Sequence, residues 1–294
     1  MTADFKKLGV IAGAGELPAR IASGVVAEGR SVFVARLSGI ADADFNAFEG
    51  VEVRISEVGK LLGALKTAGC DAVTLAGVVR RPNFSALRPD LKGAKLLPRI
   101  VASARRGDDA LLGTLVQVFE EEGFAVLGAE EAAGDLRAPA GPVGAVSPLP
   151  EHFADLRLAA GVVDALGPFD VGQGAVVCDG LVLAVEAQEG TDAMLSRCAG
   201  LPSEVRGSSV ARRGVLAKLP KPEQERRVDL PTIGVPTVNR ASAAGLAGVF
   251  VLAGEALVVN RKAVVAAADA AGLFVYGFTP EELAPPAEDV EAEA

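Results

Sequence analysis

The first 130 residues alternate short apolar runs with segments of helical composition, and this alternation constrains the fold more than any other feature. Lys7–Ala12 reads as a strand, Gly13–Gly15 as a turn, and Pro18–Ala27 as a helix with proline in its first turn. Ser31–Leu37 and Val51–Ile55 read as further strands. Val58–Ala68 is a helix closed by Gly69, and DAVTLAG (71–77) is a buried strand. Helices near Leu96–Arg105 and Asp108–Glu122 and a strand in FAVLG complete the series. Strands alternating with helices predict an α/β, Rossmann-like domain with a mostly parallel sheet covered on both faces.

Beyond Arg137 the composition changes to APAGPVGAVSPLP, whose four prolines suggest a linker over 138–150. The second half opens with a helix, Glu151–Leu166. The run AVVCDGLVLAVEA follows, split by Asp179-Gly180, a pair that tolerates the positive φ of a tight hairpin turn. VLAKLP, VFVLAG, ALVVN and LFVYGF read as strands around helices Ala241–Ala247 and Lys262–Ala271. The expected domains are therefore 1–137, Rossmann-like, and 151–279, mixed α/β. A disordered tail over 280–294 is expected from its six acids and no base.

Net charge is −9, and aromatics are only 4% with no Trp, which speaks against nucleic-acid binding through either phosphates or stacked bases. No apolar run reaches the roughly 18 residues that a membrane-spanning helix needs. The glycine-rich start does not read as a signal peptide. Three cysteines at no metal-binding spacing fit a reducing, cytoplasmic setting.

The turn Gly13-Ala14-Gly15-Glu16-Leu17-Pro18 has the form of a phosphate-binding βα loop. Pro18 replaces the third glycine of a dinucleotide fingerprint, and the second strand ends at Ala35-Arg36-Leu37 without a ribose-binding acid. The choices are a nucleotide or phosphate site, or a tight turn with no ligand. Arg80 and Arg81 follow a parallel strand directly and would meet the ligand crevice, or else are two solvated arginines. Gly107-Asp108-Asp109 reads as an N-cap on the following helix rather than a metal site. His152 is the only histidine, and no histidine-based zinc site or Ser-His-Asp triad can be assembled around it with supporting partners.

The densest polar cluster is Glu186, Gln188, Glu189, Gly190, Thr191 and Asp192, where the second hairpin strand runs out into a short helix capped near Gly190 or Thr191. A second charged stretch holds Lys218, Lys221, Gln224, Arg227 and Asp229. Cations for phosphoryl oxygens and carboxylates for a hard metal or a water are what diphosphate hydrolysis requires. A capped helix and a charged surface loop are the plainer alternatives. The apolar frame VDLPTIG implies that Asp229 is partly buried, where an idle carboxylate is costly.

At these residues the sequence resembles the UDP-2,3-diacylglucosamine pyrophosphatases of the LpxI type. The segments that carry the resemblance are KLGVIAGAGELP, LAGVVRRPNFSAL, RRGDDALL, VSPLPEHFADL, DVGQGAVVCDGLVLAVEAQEGTDAML and KPEQERRVDLPTIGVPT. They span nearly the whole chain outside the acidic tail, with Ala14 where the family often has glycine. The resemblance implies Mg²⁺-dependent hydrolysis to UMP and 2,3-diacylglucosamine 1-phosphate (lipid X), with the lipid-nucleotide substrate held between two domains and attack on the sugar-side phosphorus. It makes Asp229 the key catalytic residue. Residues and resemblance together give Glu186, Glu189 and Asp229 as metal ligands. The expected substrate contacts are Gly13, Gly15, Glu16, Leu17, Gly77, Arg80 and Arg81 in the first half. In the second half they are Gln173, Gly174, Gln188, Gly190, Thr191, Asp192, Lys218, Lys221, Gln224 and Arg227. A cytoplasmic enzyme that transiently visits the inner membrane surface follows from the acylated substrate, and the resemblance leaves room for a homodimer. A non-catalytic lipid or nucleotide-sugar carrier and an NAD(P)-dependent oxidoreductase are the competing classes.

Overall fold

The computed structural model describes residues 4–133, 136–222 and 224–284. The chain forms two compact units. One holds the described residues up to 133 together with Glu225–Asp229; the other holds 136–222, Gln224 and 230–284.

The first unit is built on five parallel strands, β1 (Lys7–Ala12), β2 (Ser31–Leu37), β3 (Gly50–Val53), β4 (Ala72–Ala76) and β5 (Ala125–Val126), in the order β3-β2-β1-β4-β5. Helices α1 (Leu17–Ala27), α2 (Val58–Thr67), α3 (Leu91–Ala104), α4 (Asp108–Glu121) and α5 (Ala129–Ala132) connect or follow them. Ile11, Phe33, Leu62, Leu65, Val73, Val116 and Phe119 form one core, and Val228 from the distant segment packs against it. The strand order reverses between β1 and β4, which places a crevice at their carboxyl ends. Helix α3 begins five residues earlier than the sequence suggests. The Asp90 carboxylate accepts the Gly93 N–H at 2.7 Å and so starts the helix despite Gly93 and an internal Pro98. At α4 the expected cap over Gly107-Asp108-Asp109 is present: Gly107 takes the cap position, and Asp108 and Asp109 lie in the first turn.

The second unit contains a six-stranded mixed sheet. Its strands are β6 (Gly141–Pro142), β7 (Gly174–Cys178), β8 (Leu181–Val185), β9 (Val215–Lys218), β11 (Gly248–Leu252) and β13 (Phe274–Phe278), in the order β6-β13-β11-β9-β7-β8. A separate parallel pair joins β10 (Thr232–Ile233) to β12 (Leu257–Val258). Alternate side chains divide the core. Val176, Leu216, Val249, Val251 and Val275 face helices α7 (Gly190–Ala199), α9 (Val235–Ala243) and α10 (Arg261–Ala271). Ala175, Val177, Val215, Ala217 and Phe250 face α6 (Pro150–Leu166). A short helix, α8 (Ser203–Arg206), lies between α7 and β9 in the chain. Asp179 and Gly180 take φ of 52° and 76°, as the hairpin turn demands. The α/β expectation therefore holds in both units.

Part of the stretch expected as a linker is built into the second unit instead. Gly141–Pro142 pairs antiparallel with β13, and Ala138 N–H donates to Ala256 O at 2.8 Å. Proline is admissible there because β6 is an edge strand. The start of the expected disordered tail is likewise structured: Pro280–Leu283 forms a 3₁₀ turn, and the Tyr276 hydroxyl donates to Glu282 Oε1 at 2.7 Å. The rest of that tail, 285–294, lies outside the described residues. Helix α9 starts six residues before the expected Ala241, because Pro236 suits its first turn, and Gly245 closes it with φ of 76°. Among the described residues, no helix is long and apolar enough to cross a membrane.

Candidate functional site

In the first unit the expected phosphate loop lies at the carboxyl end of β1, beside that of β4. Gly13 and Gly77 pack back to back. A Cβ on Gly77 would lie 2.6 Å from Ala14 O, and one on Gly13 2.9 Å from Val78 O. Ala14 and Val78 exchange two backbone hydrogen bonds of 2.9 Å, which tie the two loops together. Gly13 N–H donates to Ala76 O at 2.8 Å, and Gly15 N–H donates to Asp42 Oδ1 at 2.7 Å. The amides of Gly13, Ala14 and Gly15 are thus already satisfied, so these glycines shape the turn rather than offer it to a phosphate. A carboxylate on Gly15 also occupies the amide that a cofactor pyrophosphate would use, which weighs further against a dinucleotide site. Asp42 escaped the sequence reading because it lies five residues past the strand end where a ribose-binding acid would sit.

Glu16 is exposed and Leu17 opens α1. Arg80 and Arg81 are exposed just past β4, and Arg81 reaches Asp108 only loosely, at 3.9 Å. Of the first-unit candidates, these two arginines keep the character expected of anion-binding groups.

Asp229 is half-buried at the end of the segment 225–229, which belongs to the first unit. Arg227 fastens this segment: it donates to Glu225 at 2.8 and 2.9 Å and to Glu120 of α4 at 2.7 Å. Hydrogen bonds from Arg227 hold the Glu225 carboxyl below its ordinary range, and the guanidinium is raised in turn. Two carboxylates already offset its charge, so Arg227 acts as an anchor for Asp229 rather than as the expected diphosphate cation.

In the second unit Glu186, just past β8, is 8% exposed. Its backbone N–H donates to Gly174 O at 2.8 Å. A Cβ on Gly174 would lie 2.8 Å from Glu186 Oε2, so glycine there makes room for the carboxylate rather than for substrate. Thr191 Oγ1 donates to Glu186 Oε1 at 2.9 Å and accepts from Lys218 Nζ at 2.8 Å. Lys218, at the end of β9, is 6% exposed, reaches Thr232 O at 3.4 Å, and lies 4.0 Å from Glu186 Oε2. Glu189 takes the cap position of α7 without a side-chain cap bond, and the Thr191 hydroxyl is turned to Glu186 instead of capping the helix.

The other second-unit candidates disperse. Gln188 is exposed, Glu189 is paired with Arg197 at 2.5 Å, and Asp192 with Arg240 at 3.1 Å. Gly190 turns the chain with φ of 77°, and Gln173 O accepts from Leu219 N–H at 2.9 Å. Lys221, 5% exposed, pairs with Asp170, and its backbone N–H donates to Gln224 Oε1 at 2.8 Å. Lys221 and Gln224 therefore brace a loop, and the Lys221 charge is met by Asp170. Asp170 gave no signal in the sequence because its partner is 51 residues away.

The three expected metal ligands fall in different units: Glu186 and Glu189 in the second, Asp229 in the first. Neither unit by itself gathers three His, Cys, Asp or Glu side chains into a metal-holding group among its described residues. A cation on Glu186 Oε2 would stand beside the Lys218 ammonium, a like charge already facing that oxygen. Within the second unit, Glu186 and Glu189 by themselves do not fit a metal site, and no chemical step is assigned to one.

Residues 7–136 match the family model of the LpxI N-terminal domain, and residues 139–276 match that of the LpxI C-terminal domain. Across 278 residues the sequence is 56% identical to the UDP-2,3-diacylglucosamine pyrophosphatase LpxI of Caulobacter vibrioides, covering 95% of this chain and 99% of that protein. The chain belongs to the LpxI family. The two LpxI domain models meet near residue 137, whereas the first compact unit also takes in Glu225–Asp229.

Proposed function

We propose that this chain hydrolyses the diphosphate of UDP-2,3-diacylglucosamine to UMP and 2,3-diacylglucosamine 1-phosphate, a step of lipid A biosynthesis. The relationship that carries the reading is 56% identity over 95% of the chain to the Caulobacter vibrioides pyrophosphatase. The charged groups support it: a buried lysine with donor capacity to spare in the second unit, and two exposed arginines at the strand-order reversal of the first. Water attacks the sugar-side phosphorus, the bond from that phosphorus to the bridging oxygen breaks, and UMP leaves with the bridging oxygen. Asp229 orients the water, and Lys218 meets charge developing on the phosphoryl oxygens. Arg80 and Arg81 hold the anionic substrate from the first unit.

The test is hydrolysis of UDP-2,3-diacylglucosamine in ¹⁸O-water with Mg²⁺, with and without a chelator, read by mass spectrometry. Unlabelled UMP with labelled lipid product is expected, and the chelator arm reads the expected Mg²⁺ requirement. Labelled UMP would move the attack to the other phosphorus. Substrate binding without turnover would replace the enzyme with a carrier. Because the substrate is acylated, the protein also visits the inner-membrane surface on this reading. Co-sedimentation with substrate-bearing vesicles in excess of substrate-free ones is the expected sign, and equal recovery would remove it.

A further inference from the structure

We infer that Glu186 is a positioning residue that orients the Lys218 ammonium through the Thr191 hydroxyl, and that it is not a metal ligand. The inference rests on the proposed hydrolysis for what Lys218 does, and on geometry alone for what Glu186 does to Lys218.

An ammonium can only donate, so Thr191 Oγ1 must accept from Lys218 Nζ at 2.8 Å, and its single proton is left for Glu186 Oε1 at 2.9 Å. The relay therefore has one polarity, from cation through hydroxyl to carboxylate. The second carboxylate oxygen, Oε2, is buried without a hydrogen-bond partner among the described residues and lies 4.0 Å from the same ammonium. Glu186 thus faces Lys218 twice, once through the hydroxyl and once by direct attraction. Glycines leave room for this pose: a Cβ on Gly172 would fall 2.0 Å from the Glu186 backbone O, and one on Gly174 would fall 2.8 Å from Oε2. A lysine stem has four rotatable bonds, so a buried ammonium needs such partners to keep one direction. Its remaining contact among the described residues, Thr232 O at 3.4 Å, is long, which leaves it donor capacity for a phosphoryl oxygen.

The experiment is a double-mutant cycle of Glu186→Gln and Lys218→Met on kcat and KM for UDP-2,3-diacylglucosamine. The same cycle is read on the unfolding midpoint of the protein alone, and Mn²⁺ binding to wild type and Glu186→Gln is titrated by electron paramagnetic resonance. Glu186→Gln is expected to lower kcat by about tenfold or more, with KM within about threefold, when Lys218 is present. It should cost less than about twofold when Lys218 is Met. Thr191→Val should reproduce the loss while Thr191→Ser stays near wild type, which separates the hydroxyl from the space it fills. The unfolding midpoints should show the same coupling. The two Mn²⁺ curves should superimpose, whether or not they saturate. Equal losses in both Lys218 backgrounds, or a drop of about tenfold in Mn²⁺ affinity on Glu186→Gln, overturns the inference. A wild-type chain that turns nothing over would sink the proposed hydrolysis, and the unfolding cycle and the Mn²⁺ titration would still decide whether Glu186 serves Lys218.

Discussion

Asp155 on α6 is 4% exposed, and its two carboxylate oxygens accept the Asp179 and Gly180 amides of the hairpin turn at 3.0 and 2.8 Å. Replacing it by alanine strands two turn donors, so Asp155→Ala should destabilise the protein by about 1–3 kcal/mol per stranded group. Urea unfolding reads this directly, and Asp155→Asn, which keeps one carbonyl acceptor, should fall between. At Asp229 the expected loss is of rate and not of stability: Asp229→Ala should cut kcat by about 10²–10⁴-fold with little change in KM. Steady-state kinetics beside a thermal melt would separate the two, and near-normal turnover would remove Asp229 from the mechanism. Single residues were only partly legible in the sequence. The charge types at 186–192 and 218–229 marked the right neighbourhoods. Which carboxylate meets which cation depends on strand register and loop path, so the Lys218–Thr191–Glu186 relay and the Lys221–Asp170 pair become readable only in the fold.

The segment Glu225–Asp229 is held by one guanidinium, two carboxylates and a packed valine, so its order should follow the charge on Glu225. Arg227 lowers the Glu225 pKa in the folded state. The pair therefore contributes fully above the ordinary carboxylate value of about 4.3 and loses its contribution as pH falls through the lower folded value. Hydrogen exchange of 226–229 should accelerate over that acidic interval in the wild type. In Glu225→Gln it should already be fast at neutral pH. Elements with strong local signals were well marked in advance: β1 and β2 match residue for residue, and the Asp179-Gly180 hairpin sits where a positive φ was required. The two-residue strands β6 and β10 were missed, because each exists only through pairing with a strand far away in the chain. Composition cannot carry that signal.

At the scale of the molecule, alternation alone was enough for the parallel first sheet, and hairpin plus alternation for the mixed second one. The assignment of 225–229 to the first unit was not legible, since a charged loop carries no mark of the core it joins. A fragment of residues 1–135 lacks Val228 and the Arg227–Glu120 pair, so it should unfold at lower urea than the same unit in the whole chain. Partial burial of one valine and an exposed ion pair imply a difference of about 1–2 kcal/mol. Equal midpoints would show the segment to be dispensable to that unit. The chain leaves the first unit near residue 135, returns for five residues and leaves again. Genetic exchange at residue 136 between two diverged relatives would therefore pair a returning segment from one parent with an α4 from the other, so the two halves of this gene are expected to descend together rather than be shuffled as separate modules.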